Sequence, residues 1–298
     1  MNHNDAFSRC HPAVNFLYFA LVLLGAMVLQ HPVCQVISLF GAIAVFCMLG
    51  GEKPGGFRLW YALALFVLTA AANPAFSHEG RTILRYLPSG NPLTLESILY
   101  GLGAGLTLCT ALIWFSDYTR VMTSDKFVYL FGRIVPALSL ILSMTLRFVP
   151  RFSAQARRVA SAQAAVGNDM HEGSLFHRIR CALMVFSILV TWSLENAVDT
   201  ADSMRARGYG LPGRSAFSIF TLTKRDQTLL AVMGVLGGIV IAGYCLGALS
   251  WRYYPSVKGA GFAPLSVLCY LSFLTLNLIP VILEQKEAAV CRRLQSQI

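Results

Sequence analysis

Six apolar runs, at residues 14–29, 33–49, 59–72, 98–115, 228–249 and 263–283, constrain this chain more than any other feature. Backbone polar groups in lipid must be satisfied within the segment itself, so runs of this length predict helices. The first three are short for a hydrocarbon core about 30 Å thick, which predicts tilt or a locally thinned bilayer. With 56% hydrophobic and 13% charged residues and a mean hydropathy of +0.60, the chain falls outside the soluble globular class. The expectation is an all-α polytopic membrane protein with about six transmembrane helices. No A-x-A site follows the first run, and the second begins directly after His31-Pro32. The first run is therefore read as a span rather than a cleaved signal.

Charge sets the expected topology. With both termini in the cytoplasm, twenty Lys and Arg lie inside, fourteen of them between Arg120 and Arg225, against Arg81, Arg85, Arg252 and Lys258 outside. This follows the positive-inside rule. The organisation is then an N-terminal bundle over 1–116, a cytoplasmic segment over 117–226, and a C-terminal hairpin with tail over 227–298. The outer loop at 73–95 contains Pro74, Gly80, Pro88, Gly90 and Pro92 and is expected to be turn-rich rather than helical. The eight cysteines (10, 34, 47, 109, 181, 245, 269 and 291) form no C-x-x-C pair. They read as small buried hydrophobes.

The middle segment carries the functional signal. Ser124-Asp125 can cap a short helix, and Pro136 suits the first turn of the next. Residues 136–146 are apolar on nearly every face and too short to span. They lead into Arg147-Phe148-Val149-Pro150, where a proline is expected to separate a membrane-surface helix from a basic one. Arg147 either anchors at headgroup level or makes a specific contact. The basic helix is rich in small residues and ends at Gly167-Asn168, residues suited to a left-handed cap. A second helix is expected to start near Ser174 and stop at Gly208. Glu195, Asp199 and Asp202 recur on its face, with Asp202 and Arg205 as an i,i+3 pair. Small residues would let the two helices approach closely.

Several pieces resemble the transmembrane T component of energy-coupling factor (ECF) transporters. These are Thr145-Leu146-Arg147-Phe148-Val149-Pro150, Ala162-Gln163-Ala164-Ala165-Val166-Gly167 and Ala206-Arg207-Gly208. His11-Pro12, His31-Pro32 and Ser116-Asp117 add to them. The resemblance implies a scaffold in the bacterial or archaeal plasma membrane, serving micronutrient uptake. Its partners would be two ATPase subunits and a membrane-embedded substrate-binding (S) subunit. It further implies two long coupling helices that cross, each ending in an Ala-Arg-Gly signature that docks in an ATPase groove. The docking residues would be Arg205, Ala206, Arg207 and Gly208 at one end and Ala165, Val166 and Gly167 at the other. Arg147, Phe148 and Pro150 would form the coupling-helix hinge. Val166 departs from the pattern, because it stands where the signature has arginine.

Other chemistries are weaker. Asn196-x-x-Asp199-x-x-Asp202 suggests a prenyltransferase-like alternative in which Asp199 and Asp202 hold magnesium, but no second acidic cluster faces it. Ser77-His78-Glu79-Gly80, and His3, Asp5, Cys10 and His11, lack regular ligand spacing. No lysine follows a glycine in the manner of a Walker A loop, so ATP hydrolysis falls to other subunits. No transmembrane run carries clustered ionisable residues, as an ion-coupled carrier would. No enzyme activity, metal, cofactor or nucleic-acid partner is expected.

Overall fold

The computed structural model describes residues 6–49, 56–77, 80–86, 92–132, 136–169, 173–209, 211, 220–259, 261 and 263–295. In chain order the elements are α1 (Pro12–Val28), α2 (Pro32–Leu49), α3 (Gly56–Phe76), β1 (Ile83–Tyr86), β2 (Pro92–Thr94), α4 (Leu95–Val121), α5 (Ser124–Gly132), α6 (Pro136–Ala165), α7 (Leu175–Ala206), α8 (Lys224–Cys245), β3 (Trp251–Arg252), β4 (Lys258–Gly259) and α9 (Pro264–Gln295). The fold is all-α, with two small antiparallel ribbons, β1–β2 and β3–β4. Contacts divide it into two compact units, Met1–Thr123 with Phe220–Ile298, and Ser124–Ile219.

The first unit is a membrane bundle in which α4 packs on α1, α2 and α3, while α9 packs on α2 and α8. Its centre is an edge-to-face aromatic cluster of Phe7, Tyr18, Phe19, Trp114 and Tyr118. Side-chain hydrogen bonds pin the apolar helices together. Tyr18 Oη donates to the Asn277 carbonyl at 2.9 Å, Trp114 Nε1 to Ser38 Oγ at 3.1 Å, and Gln35 Nε2 to Thr107 Oγ1 at 2.9 Å. Such bonds contribute about 0.6 kcal/mol each between membrane helices. The helix α4 also carries glycines at 101 and 105, one turn apart, which let α3 lie against its backbone. A Cβ on Gly101 would meet the Ala70 carbonyl oxygen at 2.9 Å, and one on Gly105 the Phe66 carbonyl oxygen at 3.0 Å.

The two His-Pro pairs start α1 and α2 by the same device. Nδ1 of His11 accepts from the Ala13 amide at 3.2 Å, and Nδ1 of His31 from the Val33 amide at 3.3 Å. In both, proline fills the first helical position, where no amide is needed.

Three expectations change. The outer loop is not wholly irregular: α3 continues through Pro74 to Phe76, and the loop holds the β1–β2 ribbon. There Thr82 donates through its hydroxyl and amide to buried Glu96. Secondly, Pro150 does not divide two helices, because α6 runs unbroken from Pro136 to Ala165. Thirdly, among the described residues the helices long and apolar enough to cross a membrane are α2, α4, α7, α8 and α9, with α1 and Trp60–Phe76 apolar but shorter. The sequence reading counted α1 and α3 as spans and left α7 out. Of the cysteines, Cys10, Cys34, Cys181 and Cys269 are buried, Cys109 is half-buried, and Cys47, Cys245 and Cys291 are exposed. His3, Asp5, His78 and Glu79 lie outside the described residues.

Candidate docking site at two helix ends

The second unit is built on α6 and α7, with α5 packed on α6. Ser174 caps α7, its Oγ accepting from the His177 amide at 3.4 Å. From there Cys181, Val185 and Leu189 are buried and Trp192 is half-buried, a spacing that places all four on one face. On α6 the half-buried residues Phe148, Phe152, Val159 and Gln163 form the matching stripe.

Aromatic rings hold the two helices together. Phe148 stacks on Trp192 with centroids 5.8 Å apart, Phe152 tilts against the same indole at 6.4 Å, and the Arg151 guanidinium sits over it at 5.8 Å. The sequence suggested close approach through small residues, whereas these contacts use large ones. Just past the α6 end, Asn168 Nδ2 donates to Gln163 Oε1 at 3.1 Å and to Met184 Sδ at 3.8 Å. The contacts run in opposite order along the two helices, Phe148 meeting Trp192 and Asn168 meeting Met184.

The two signature ends are capped identically. At the α6 end the Asn168 amide donates to the Gln163 carbonyl at 2.9 Å and the Gly167 amide to the Ala164 carbonyl at 3.0 Å. At the α7 end the Tyr209 amide donates to the Met204 carbonyl at 3.1 Å and the Gly208 amide to the Arg205 carbonyl at 3.0 Å. Both are Schellman motifs with the glycine left-handed, φ +87° at Gly167 and +75° at Gly208. Val166 and Arg207 thus occupy the same C-cap position, and both are exposed together with Ala165 and Ala206. Glycine is required by the backbone, and the residue before it is free to vary.

Arg205 reaches Asp202 at 3.7 Å across an exposed surface, a pair that contributes a few tenths of a kcal/mol at most. Glu195 and Asp199 are also exposed. Among the described residues no group of three or more His, Cys, Asp or Glu side chains could hold an ion, so Asp199 and Asp202 find no acidic partner cluster. The exposed face of α7 is strongly apolar, with Ile179, Leu183, Phe186, Leu194 and Val198 all about 60% exposed.

Sequence reasoning missed Arg151, Phe152, Trp192 and Leu211. The i,i+4 aromatic pair bracketing Pro150 was the available sign of the first three. Leu211 is exposed and turns back beside Gly208, where a Cβ would meet its Cδ1 at 3.2 Å.

A family model described as CbiQ, cobalt transport protein, matches residues 6–219. The chain belongs to this family, as a T component of ECF transporters. It is 31% identical over 253 residues to the energy-coupling factor transporter transmembrane protein EcfT of Streptococcus thermophilus, covering 78% of this chain and 92% of that one. EcfT proteins of Bacillus selenitireducens (33% over 111 residues) and Lactobacillus helveticus (32% over 108 residues) match over shorter stretches. Those stretches span 41% and 39% of the relatives and 37% and 36% of this T component.

Proposed function

We propose that this T component transmits ATP-driven closure of two separate ATPase subunits to a membrane-embedded S subunit, for uptake of a micronutrient. The observation that carries this reading is the pair of identically capped, exposed ends on two helices packed against each other. The α6 end lies beside Met184 in the first half of α7, and the α7 end lies beyond the Trp192 contact. From Met184, which Asn168 reaches just past the α6 end, α7 runs on to Ala206, a rise of about 33 Å at 1.5 Å per residue. Tips on that scale of separation suit two docking sites on two subunits.

At the α7 tip the guanidinium of Arg207 lies in the negative end of the helix dipole and presents a fork that fits a carboxylate. Ala206 and Gly208 keep the flanks small enough to enter a groove. Movement of the tips is carried along α6 and α7 through the Phe148–Phe152–Trp192 contact. Pro150 removes the amide that would bond the Leu146 carbonyl, which leaves α6 easier to bend beside that contact. The exposed apolar residues of α7, with Leu140, Ile141, Leu146 and Val149 of α6, face the S subunit or lipid. The basic segment and both termini lie on the cytoplasmic side.

The test is affinity purification of the tagged chain in mild detergent, comparing wild type, Arg207→Glu and, as a control on exposed β3, Arg252→Glu. Wild type and Arg252→Glu retain ATPases and a small membrane protein, while Arg207→Glu loses the ATPases. Retention of the ATPases by Arg207→Glu contradicts the docking role.

A further inference from the structure

We infer that the two ATPase grooves served by this chain differ chemically: the groove receiving the α6 end is apolar, and the groove receiving the α7 end is acidic. The inference rests on the docking role proposed above and specifies the partner it requires.

Val166 and Arg207 hold equivalent C-cap positions in two Schellman motifs with the same pair of closing hydrogen bonds. Each glycine beyond them has a similar φ, +87° and +75°. The backbone therefore launches both side chains in the same direction from the helix end, and only their chemistry differs. Among the described residues nothing accounts for the valine. It is 78% exposed, so it contributes no core burial, and a β-branched residue is a poor helix former. Among the described residues, a Cβ built on the neighbouring Gly167 meets nothing within 4 Å, so the side of the tip at Gly167 is open.

An arginine from elsewhere on α6 does not replace the missing charge. Arg157 and Arg158 precede Val166 by eight or nine residues, about 12 Å along the axis, and lie outside the last turn. A groove lined by a carboxylate would be desolvated by Val166 without gaining a charged partner, which is unfavourable. A groove lined by aliphatic side chains would gain from its burial. The α7 end has the opposite preference, with Arg205 and Arg207 both exposed. The partner that fits is thus an ATPase pair with non-equivalent docking grooves, and the assembly has one fixed orientation of T component on ATPases.

The experiment uses the full chain in detergent, titrated with its purified ATPase subunits, for wild type, Val166→Leu, Val166→Arg and Arg207→Val. Val166→Leu binds as wild type does, while Val166→Arg and Arg207→Val each weaken binding about tenfold or more, because each leaves a charge buried without a partner. Binding by Val166→Arg equal to or tighter than wild type overturns the inference. A photo-crosslinker at position 166 gives a second reading, with adducts on aliphatic groove residues expected and adducts beside a carboxylate contradicting. Unchanged melting of each variant shows that the exposed tip has not disturbed folding. Failure of the underlying reading is distinct, since Arg207→Glu would then keep its ATPases.

Discussion

Phe148 lies nearly parallel to Trp192, their planes 22° apart and centroids 5.8 Å apart, two residues before the proline in α6. The stack joins the helix at its weakest backbone position to the middle of α7. Trp192→Ala is expected to destabilise the α6–α7 pair by about 2 kcal/mol, combining lost burial and lost ring contact, whereas Trp192→Phe retains much of it. Thermal melting of the detergent-solubilised chain checks the order wild type, Phe, Ala. Coincident melting curves would show that the stack contributes nothing.

The capping glycines offer a separation of backbone strain from docking. Gly208→Ala forces a Cβ into a left-handed residue at a cost of about 1 kcal/mol and reorients Arg207. Gly247→Ala imposes the same strain at the α8 end, where φ is +77°. ATPase retention is expected to fall for Gly208→Ala and to persist for Gly247→Ala. Equal retention by the two variants would remove the tip geometry from the argument.

On α4, Gly101→Val and Gly105→Val push against carbonyl oxygens of α3 and are expected to cost about 1–3 kcal/mol each. A Cβ at Gly103 meets the far end of a side chain instead, Tyr253 Oη at 2.6 Å, which can swing away. Hydrogen exchange along α3 should quicken in the first two variants and change little in Gly103→Ala. Unchanged protection in all three would mean that close approach to α4 does not hold α3.

His11 gives a pH dependence. Burial holds its imidazole below the ordinary histidine range, outweighing the upward pull of Asp226. The folded chain thus binds this proton more weakly than the unfolded chain. The group leaves stability unaffected above about pH 6.5, and stability falls as pH drops below that value. Protonation also ends acceptance by Nδ1 from the Ala13 amide. Between pH 7.5 and 5.5 the wild type should lose more melting temperature than His11→Asn, which caps without titrating. Parallel losses would exclude the histidine as the cause.

Much of this molecule was legible because its signals are local. Ser174, Gly167 and Gly208 mark helix ends by backbone chemistry that needs no distant partner, and each marks an end in the structure. Pro150 misled because its cost is one hydrogen bond, which tertiary contacts on either side can offset. Phe148 and Phe152 both reach Trp192 across it. The ribbons were invisible for the opposite reason, being strands of two to four residues that pair only once the helices have brought them together. His11-Pro12 and His31-Pro32 counted only as pieces of the family resemblance, and their capping role emerges from where Nδ1 points. The equivalence of Val166 and Arg207 was half-legible: the sequence aligned them, and the shared hydrogen-bond pattern makes the alignment physical.

The most direct measurement places a photo-crosslinking side chain at position 207 of the full chain in the membrane and identifies what it captures. The account predicts an adduct with an ATPase subunit, lost when the same group is moved to position 252, exposed on β3. Capture of lipid alone, or equal capture of ATPase from both positions, would contradict it.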